Sequence, residues 1–467
     1  MQIPFAVETR EGFSREASRE DLLNWFPVVT KKGIELHGTP GTELWASMSA
    51  SPIRGWIIAD EFFYVVIYNR LYKVSNDATY VLKDTGTIKT NSGRVQMAYN
   101  GNYDGAIADQ ILIVDGTDGY IYDTVAETLT VIADADFPNT CDTCIFFGGY
   151  FIVGVVGTGR FFWSSLYEGT GWNGLDFATA ESNHDALNGM AVTKAGLWMF
   201  GTATTEVWAI TGDADLPFIR MQGAGDKVGL KAVNSLALWG REAMFIGTTD
   251  DGNVSAYQTN GYQIQDKSDP WFDFQISDLT DLSDAIGWSY SMDGRTFYVV
   301  TFDTDDKTFA TDQTGLWHRR STGTGRHIGE MHLFFNDKHL ISDYSTGIIY
   351  ELKLSATTDN GTKIKRSAVG TNIQQGVSKF QIADIEIRTE IKYQPTSGQG
   401  SDPKIALDLS KDDDEFGTKK FTSMGSVGDN KRVRWSRLGS CRKFVPRLTC
   451  DEPVNPIILG MWMNEPK

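Results

Sequence analysis

Leu197-Trp-Met-Phe-Gly-Thr-Ala-Thr-Thr-Glu-Val-Trp208 reads as an apolar strand, a short polar connection and a second strand carrying an aromatic ring. The same unit recurs along the chain. Its first strand returns as Phe62-Phe-Tyr-Val-Val, Ile111-Leu-Ile-Val, Tyr150-Phe-Ile-Val, Ala243-Met-Phe-Ile, Phe297-Tyr-Val-Val and His339-Leu-Ile-Ser, and successive starts lie 49, 39, 47, 46, 54 and 42 residues apart. Its second strand brings Tyr72, Tyr122, Trp163, Trp208, Tyr257, Trp317 and Tyr350 in turn. A mean period near 46 residues matches one four-stranded blade of a β-propeller, in which stacked blades cover one another's faces. Seven units fill roughly residues 50–360. The expected fold is therefore all-β, a β-propeller best counted at seven blades, with the recurring aromatics packed between blades. Glu43-Leu-Trp-Ala-Ser-Met48 is the candidate strand for closing the ring. The rival architecture, a pair of β-sandwiches, would lack a common period.

Punctuation supports hairpins throughout: 47 glycines against 13 prolines, clustered with Asp, Asn and Thr between β-branched and aromatic runs. After Asn360-Gly361 the period is lost. Alternating strands at Ile382–Arg388, Lys404–Leu409 and Pro456–Trp462 predict a C-terminal β-sandwich over 362–467. Residues 43–361 would form the propeller and 1–42 an N-terminal extension, with a helical candidate around Ser18–Leu23. Trp25 and Phe26, beside Pro27, read first as an anchor packed against the propeller and second as interface candidates.

Charge divides the chain at the same point. Of 467 residues, 43 are Lys or Arg and 60 Asp or Glu, a net charge of −17. Residues 362–467 hold 18 bases and 13 acids, so the first 361 residues carry −22 and the remainder +5. Residues 95–193 contain 13 carboxylates and a single base, Arg160, whereas 431–447 contain seven bases and no acid. An acidic total speaks against a protein that grips phosphates. With 41% apolar and 22% charged residues, a soluble globular protein with a sizeable core is expected. The N-terminal residues lack the pattern of a cleaved secretory signal, and the longest apolar run, Ile145–Gly159, is too short and too Gly-rich to span a bilayer.

Catalytic signatures are missing. No P-loop, G-x-S-x-G elbow or strand-linked G-x-G-x-x-G occurs. The closest approach to a sialidase-type box, Ser291-Met-Asp-Gly-Arg-Thr-Phe297, is an Asp-Gly hairpin. Cys141-Asp-Thr-Cys144 has a zinc-ligand spacing, but its only companions are Cys441 and Cys450, so buried thiols are the expectation. His327, His332 and His339 are placed at turns and hairpins of the last two blades. Asp303–Asp306 and Asp412–Glu415 lack the glycine and closing Glu of a calcium loop. The reading is a non-enzyme with no cofactor, metal or catalytic residue. The alternative is a glycan-binding or glycan-cleaving propeller for host attachment, which a panel of surface polysaccharides would separate.

The order Asn24-Trp-Phe-Pro27, Gly38-Thr-Pro-Gly41, Phe200-Gly-Thr-Ala-Thr-Thr-Glu-Val-Trp-Ala-Ile-Thr-Gly212, Lys227-Val-Gly-Leu230 and Lys431-Arg-Val-Arg-Trp-Ser-Arg-Leu-Gly439 resembles the packaged-DNA stabilisation proteins of short-tailed phages, also called tail accessory factors or tail hubs. The resemblance implies a virion tail protein, synthesised in the host cytoplasm. It would form a six-copy ring beneath the portal and its adaptor ring. There it would close the channel after packaging, receive the tail needle and attach tailspikes or fibres.

Joined to the charge pattern, the resemblance gives two candidate surfaces. A lumen through which duplex DNA slides without specific binding should present carboxylates, and Asp104, Asp109, Asp115, Asp118, Asp123, Asp134 and Asp136 are the candidates. Lys431, Arg432, Arg434, Arg437, Arg442 and Lys443 are candidates for docking an acidic tail protein. Balancing of carboxylates within the sandwich itself is the competing account of those cations. No membrane partner is expected.

Overall fold

The computed structural model describes residues 2–3, 21–31, 33–101, 109–180, 185–412, 415–429 and 431–464. From Ile53 onward, successive strands pair antiparallel with their neighbours in sequence. The first sheet contains Ile53–Ala59, Phe62–Ile67, Arg70–Val74 and Tyr80–Thr85. The second contains Gln96–Tyr99, Gln110–Val114, Gly119–Asp123 and Thr128–Val131. A third (141–179), a fourth (187–226), a fifth (228–266) and a sixth (286–320) follow in the same order. In the seventh, Gly329–Phe335, Lys338–Asp343 and Ile348–Lys353 take their outer strand from the other end of the chain: Gly41–Ser47 pairs with Ile348–Lys353. The candidate closing strand thus does close the ring.

Why the sheets stack is visible in the cores. Tyr64 and Val66 of the first sheet pack with Ile111, Tyr120 and Tyr122 of the second. Trp163 of the third packs with Leu197 and Trp208 of the fourth, and Phe335 and Leu340 of the seventh pack with Phe63 and Tyr72 of the first. Each cluster is therefore shared between neighbours, the arrangement in which a sheet buries both faces. All seven recurring aromatics are buried.

The up-and-down order also fixes two faces. Turns joining the first to the second strand, and the third to the fourth, lie on one side, here face A. Turns joining the second to the third strand, and the connections between sheets, lie on face B.

Two further sheets enclose one core containing Trp25, Ile385, Ile387, Val433, Trp435 and Ile458. One runs Trp25–Thr30, Gly33–Gly38, Asn455–Met463, Phe380–Tyr393, Lys431–Cys441. The other continues directly from the sixth propeller sheet: Asp21–Leu23 pairs with both Trp317–Arg320 and Arg366–Val369, followed by Lys443–Cys450, Lys404–Lys411 and Lys420–Ser423. The helix expected around Ser18–Leu23 is thus a strand over its described part, because Asp21–Leu23 satisfies two open sheet edges at once; Ser18–Glu20 lie outside the described residues. Residues 21–38 are woven into the C-terminal sheets. No helix among the described residues is long and apolar enough to cross a membrane.

Candidate functional site

The first strands of the propeller sheets surround a central cavity of 510 Å³, lined by Arg54–Ile57, Arg94–Tyr99, Thr143–Phe146, Asn188–Val192 and residues of the later sheets. That volume suits a small molecule. It is far too small to hold one turn of duplex, about 34 Å long. Any DNA lumen lies outside the single chain.

The candidate lumen aspartates do not share a wall. Asp109 and Asp123 sit at face A, where the pKa of Asp109 is raised by burial and then by Asp60 and Asp123. Asp115, Asp118, Asp134 and Asp136 sit in connections at face B, on the opposite side of the same sheet. Asp104 lies outside the described residues. Most of these side chains build turns. Asp123 accepts the N–H groups of Val125 and Ala126 at 2.9 and 2.7 Å. Asp134 accepts those of Asp136 and Trp172, both at 3.0 Å, which holds its pKa below the usual carboxylate range. Burial would raise the pKa of Asp115, but the N–H groups of Asp118 and Thr117 and the hydroxyls of Thr90 and Tyr120 together lower it. Asp118 pairs with Lys89 at 2.9 Å.

A denser acidic segment went unselected in the sequence. Residues 250–306 contain twelve carboxylates and two bases. Asp250 and Asp251, the connection around the helix Pro270–Ser277, and Asp303, Asp305 and Asp306 all fall at face B. Strands interrupt this run, so it shows only when density is counted across them.

The basic strip is largely neutralised at home. Lys431–Cys441 is an edge strand beside Phe380–Tyr393, and the register sets Arg432 and Arg434 against acids of that strand. Arg432 donates to both oxygens of Glu386 at 2.5 and 2.9 Å, and Arg434 donates to Asp384. Such cross-strand pairs stabilise a sheet face. Arg447 pairs with Asp408. Lys431 donates to Ser423, and Asp412 accepts the backbone N–H groups of Arg442 and Lys443. Arg437 stands on a bulge with φ +58°. It and Arg442 are exposed and make no ion pair with a described carboxylate.

Trp25 and Phe26 are excluded as surfaces for an outside partner, since they are 0% and 7% exposed. They alternate along one strand, Trp25 entering the C-terminal core and Phe26 the propeller cluster with Trp288, Tyr290 and Phe297. Phe26 is thus packed against the propeller as expected, whereas Trp25 is packed into the C-terminal core instead.

The other chemistry-bearing residues are internal. Cys141 and Cys144 lie in the core between the second and third sheets and Cys441 and Cys450 in the C-terminal core, all as free, buried thiols. No group of three or more His, Cys, Asp or Glu among the described residues is arranged to hold a metal. His327 and His332 pack against Trp288, and His332 Nε2 meets His339 Nδ1 at 3.0 Å. Burial, then Arg320, lowers the pKa of His327 to about 3. Burial, then His339, does the same for His332.

The motifs carrying the resemblance are contact points of the fold. Asn24, at φ +54°, donates to the carbonyls of Ser321 and Lys365 and accepts the N–H of Ser321, tying the propeller to the C-terminal sheets. A Cβ on Gly38 would fall 2.7 Å from Asn455 Oδ1, and one on Gly229 only 2.1 Å from the Thr202 carbonyl oxygen. Lys227-Val-Gly-Leu230 therefore lies directly on the backbone of Phe200–Gly212. Within that segment, buried Glu206 accepts from Trp208 Nε1 at 3.0 Å.

Comparison with solved structures finds propeller-like chains of low identity. Virginiamycin B lyase from Staphylococcus aureus matches at 8% identity and a TM-score of 0.45, over 65% of this chain and 96% of that one. YCF48 bound to D1 peptide matches at 12% and 0.42, over 68% and 99%. The N-terminal domain of Nup159 matches at 9% and 0.39, over 71% and 98%. None of these bears on function. No curated protein matches. A family model described as Bacteriophage P22 Gp10, beta-propeller, matches residues 17–357. That span runs from the strands joining the two bodies to the end of the seventh sheet, and the chain belongs to this family of phage stabilisation proteins.

Proposed function

We propose that this protein is a tail hub of a short-tailed phage: a six-copy ring below the portal or adaptor ring that closes the DNA channel, retains packaged DNA, receives the tail needle and anchors tailspikes or fibres. The observation that carries the reading is the family match across the propeller. The 510 Å³ cavity supports it further, because a chain that retains DNA without room to enclose it must act as one of several copies around a shared opening. In this reading the sheets over 43–361 are seven blades, and 362–467 is a sandwich stitched on by residues 21–38. Negative-stain images of the protein mixed with portal-containing particles test the whole reading. A six-fold plug at the portal vertex is expected, and particles without one refute it.

Face B is the proposed lumenal side, since it combines Asp115, Asp118, Asp134 and Asp136 with the acid-rich 250–306 segment. Carboxylates there would repel the phosphates of a sliding duplex, whereas a cationic wall would hold them. Asp136→Lys with Asp251→Lys should retard genome release. Unchanged ejection kinetics would remove the lumen assignment. Docking of an acidic tail protein falls chiefly to Arg437 and Arg442, with Lys443 beside them. Arg432 and Arg434 contribute less, being already paired. Alanine at Arg437 and Arg442 should weaken attachment to tail intermediates, and intact attachment would dismiss the strip.

A further inference from the structure

The far corner of the C-terminal body and the rim of the propeller carry opposite charge at opposite ends of the molecule. One C-terminal sheet extends from Trp317–Arg320, the outer strand of the sixth propeller sheet, and ends five strands away at Lys420–Ser423, roughly 24 Å at about 4.8 Å per strand. The other ends at Lys431–Cys441. Trp435 Nε1 donates to the carbonyl of Lys420, and Lys420 Nζ to that of Arg437, so the two free edges meet at one corner. Lys411 Nζ donates to the Leu438 carbonyl there. The N–H groups of Arg442 and Lys443, then the charges of Arg442 and Lys379, lower the pKa of Asp412 at the same corner. With Lys419 included, and the whole run Asp412–Glu415 counted against them, seven bases stand beside four acids. Val377 lies between Gln374, which pairs with Lys443, and Phe380, which pairs with Cys441. It is 85% exposed, and Phe421 is exposed with it.

In a ring of seven sheets the third lies across from the joint between the sixth and the seventh. Its outer strand, Glu168–Thr179, leaves the ladder between Trp172 and Phe177, and the segment so freed carries Asp176 and Leu175, which is 82% exposed. The turn holding Asp213, Asp215 and the exposed Leu216 lies beside it. Phe218, at the end of that turn, packs against Trp163 of the third sheet with ring centroids 5.5 Å apart, and burial, then Asp215, raises the pKa of Asp176. Arg220, on the strand that follows, is taken by Glu206 at 3.4 Å, and Arg160 lies over the Phe177 ring. From 161 to 193 the chain has four carboxylates and no Lys or Arg. Among the described residues Val377 and Leu175 are the two most exposed large apolar side chains, and one stands in each patch.

We propose that the acidic tail protein met by Arg437 and Arg442 is a second copy of this chain, whose propeller rim at Leu175, Asp176 and Asp215 seats against this corner. The inference rests on the ring reading above and names the contact between neighbours in it. Exposed apolar side chains set among charges of opposite sign suit a specific contact. Two different patches at opposite ends of one chain make a head-to-tail contact, the kind that repeats around a closed ring. Faces A and B take no part in it, so face B stays open to the lumen.

Charge reversal in the full chain tests this, with the copies bound per portal-containing particle counted on gels and the vertex imaged by negative stain. Asp176→Lys with Asp215→Lys, and separately Arg437→Glu with Arg442→Glu, should each lower the copies bound by about tenfold or more, since like charges then meet. All four side chains are exposed or half-buried, so folding is retained. An equal mixture of the two variants should restore the six-copy plug. In alternation around the ring, the introduced lysines of one variant meet the introduced glutamates of the other, and the unaltered patches meet at the remaining contacts. If either variant alone still fills the vertex, or if the mixture does not recover, the neighbour contact lies elsewhere and this inference falls while the ring reading stands. An unaltered chain that places no multi-copy plug at the vertex overturns both together.

Discussion

Phe26→Ala should loosen the joint between the propeller and the C-terminal sheets. Phe26 lies against Phe297 edge-on, with centroids 5.0 Å apart, and near His37 and His318 at 5.8 and 6.1 Å. An aromatic side chain buries about 150–250 Å², which at about 25 cal/mol per Å² corresponds to roughly 4–6 kcal/mol as an upper estimate. Measured Phe→Ala losses in cores of about 3–5 kcal/mol agree, so about 4 kcal/mol is expected. Because the ring bridges two bodies, the loss should also break cooperativity. Urea unfolding followed by tryptophan fluorescence and far-ultraviolet dichroism should give one shared transition for the unaltered chain and two separated transitions for Phe26→Ala. Trp25→Ala, which hollows only the C-terminal core, should destabilise that body first. A loss below about 1 kcal/mol for Phe26→Ala, within the range of ordinary surface changes, would refute the seam.

Gly229→Ala should cost about 3 kcal/mol or prevent folding, because its Cβ meets the backbone of Thr202 and Ala203 rather than a movable side chain; soluble expression and urea midpoints check this. Stability should fall as the pH drops from 7.5 to 5. His327 stays neutral when folded, down to a pKa of about 3, whereas its ordinary value is 6.5, so below 6.5 the unfolded chain takes up a proton that the folded one refuses. At about 1.36 kcal/mol per pH unit this residue alone costs about 2 kcal/mol by pH 5, and His327→Asn should shrink the difference in urea midpoints between the two pH values by that amount. All four thiols should resist a thiol-specific disulfide reagent at pH 7.5 until the chain is unfolded, since burial raises the pKa of each, Cys141 to about 12 and Cys450 to about 11; labelling of the native chain would contradict their packing.

The propeller was legible because its information is local and repeated. Each unit states a strand, a turn and an aromatic within a few tens of residues, and Glu43–Met48, lying just before the first unit, is readable as the candidate for closing the ring. Residues 21–38 were not legible as part of the C-terminal sheets, since their partners Arg319, Ser367 and Ile458 are hundreds of residues distant. The basic strip misled for a related reason. Arg432 and Arg434 form a run with no acid in sequence, yet a fifty-residue step upstream sets Glu386 and Asp384 beside them. The lumen aspartates misled differently: 33 residues from Asp104 to Asp136 look contiguous, but a chain reversing every nine residues or so sends alternate turns to opposite faces.

The same reversals bear on what the negative charge is for. Asp77, Asp123, Asp213 and Asp312 each accept the backbone N–H two residues ahead in turns at face A. Asp115, Asp134, Asp281 and Asp343 do so at face B. An aspartate in such a turn is first a local hydrogen-bond acceptor, and many turns in many sheets ask for many acceptors. This accounts for where the acids lie and for their presence on both faces. It does not account for their being acids, because asparagine closes the same turn without charge. In the first 361 residues the balance of −22 therefore exceeds what the turns require. The excess is densest at face B, where most carboxylates of residues 250–306 join Asp115, Asp118, Asp134 and Asp136, and that difference in density is what the proposed lumenal side rests on.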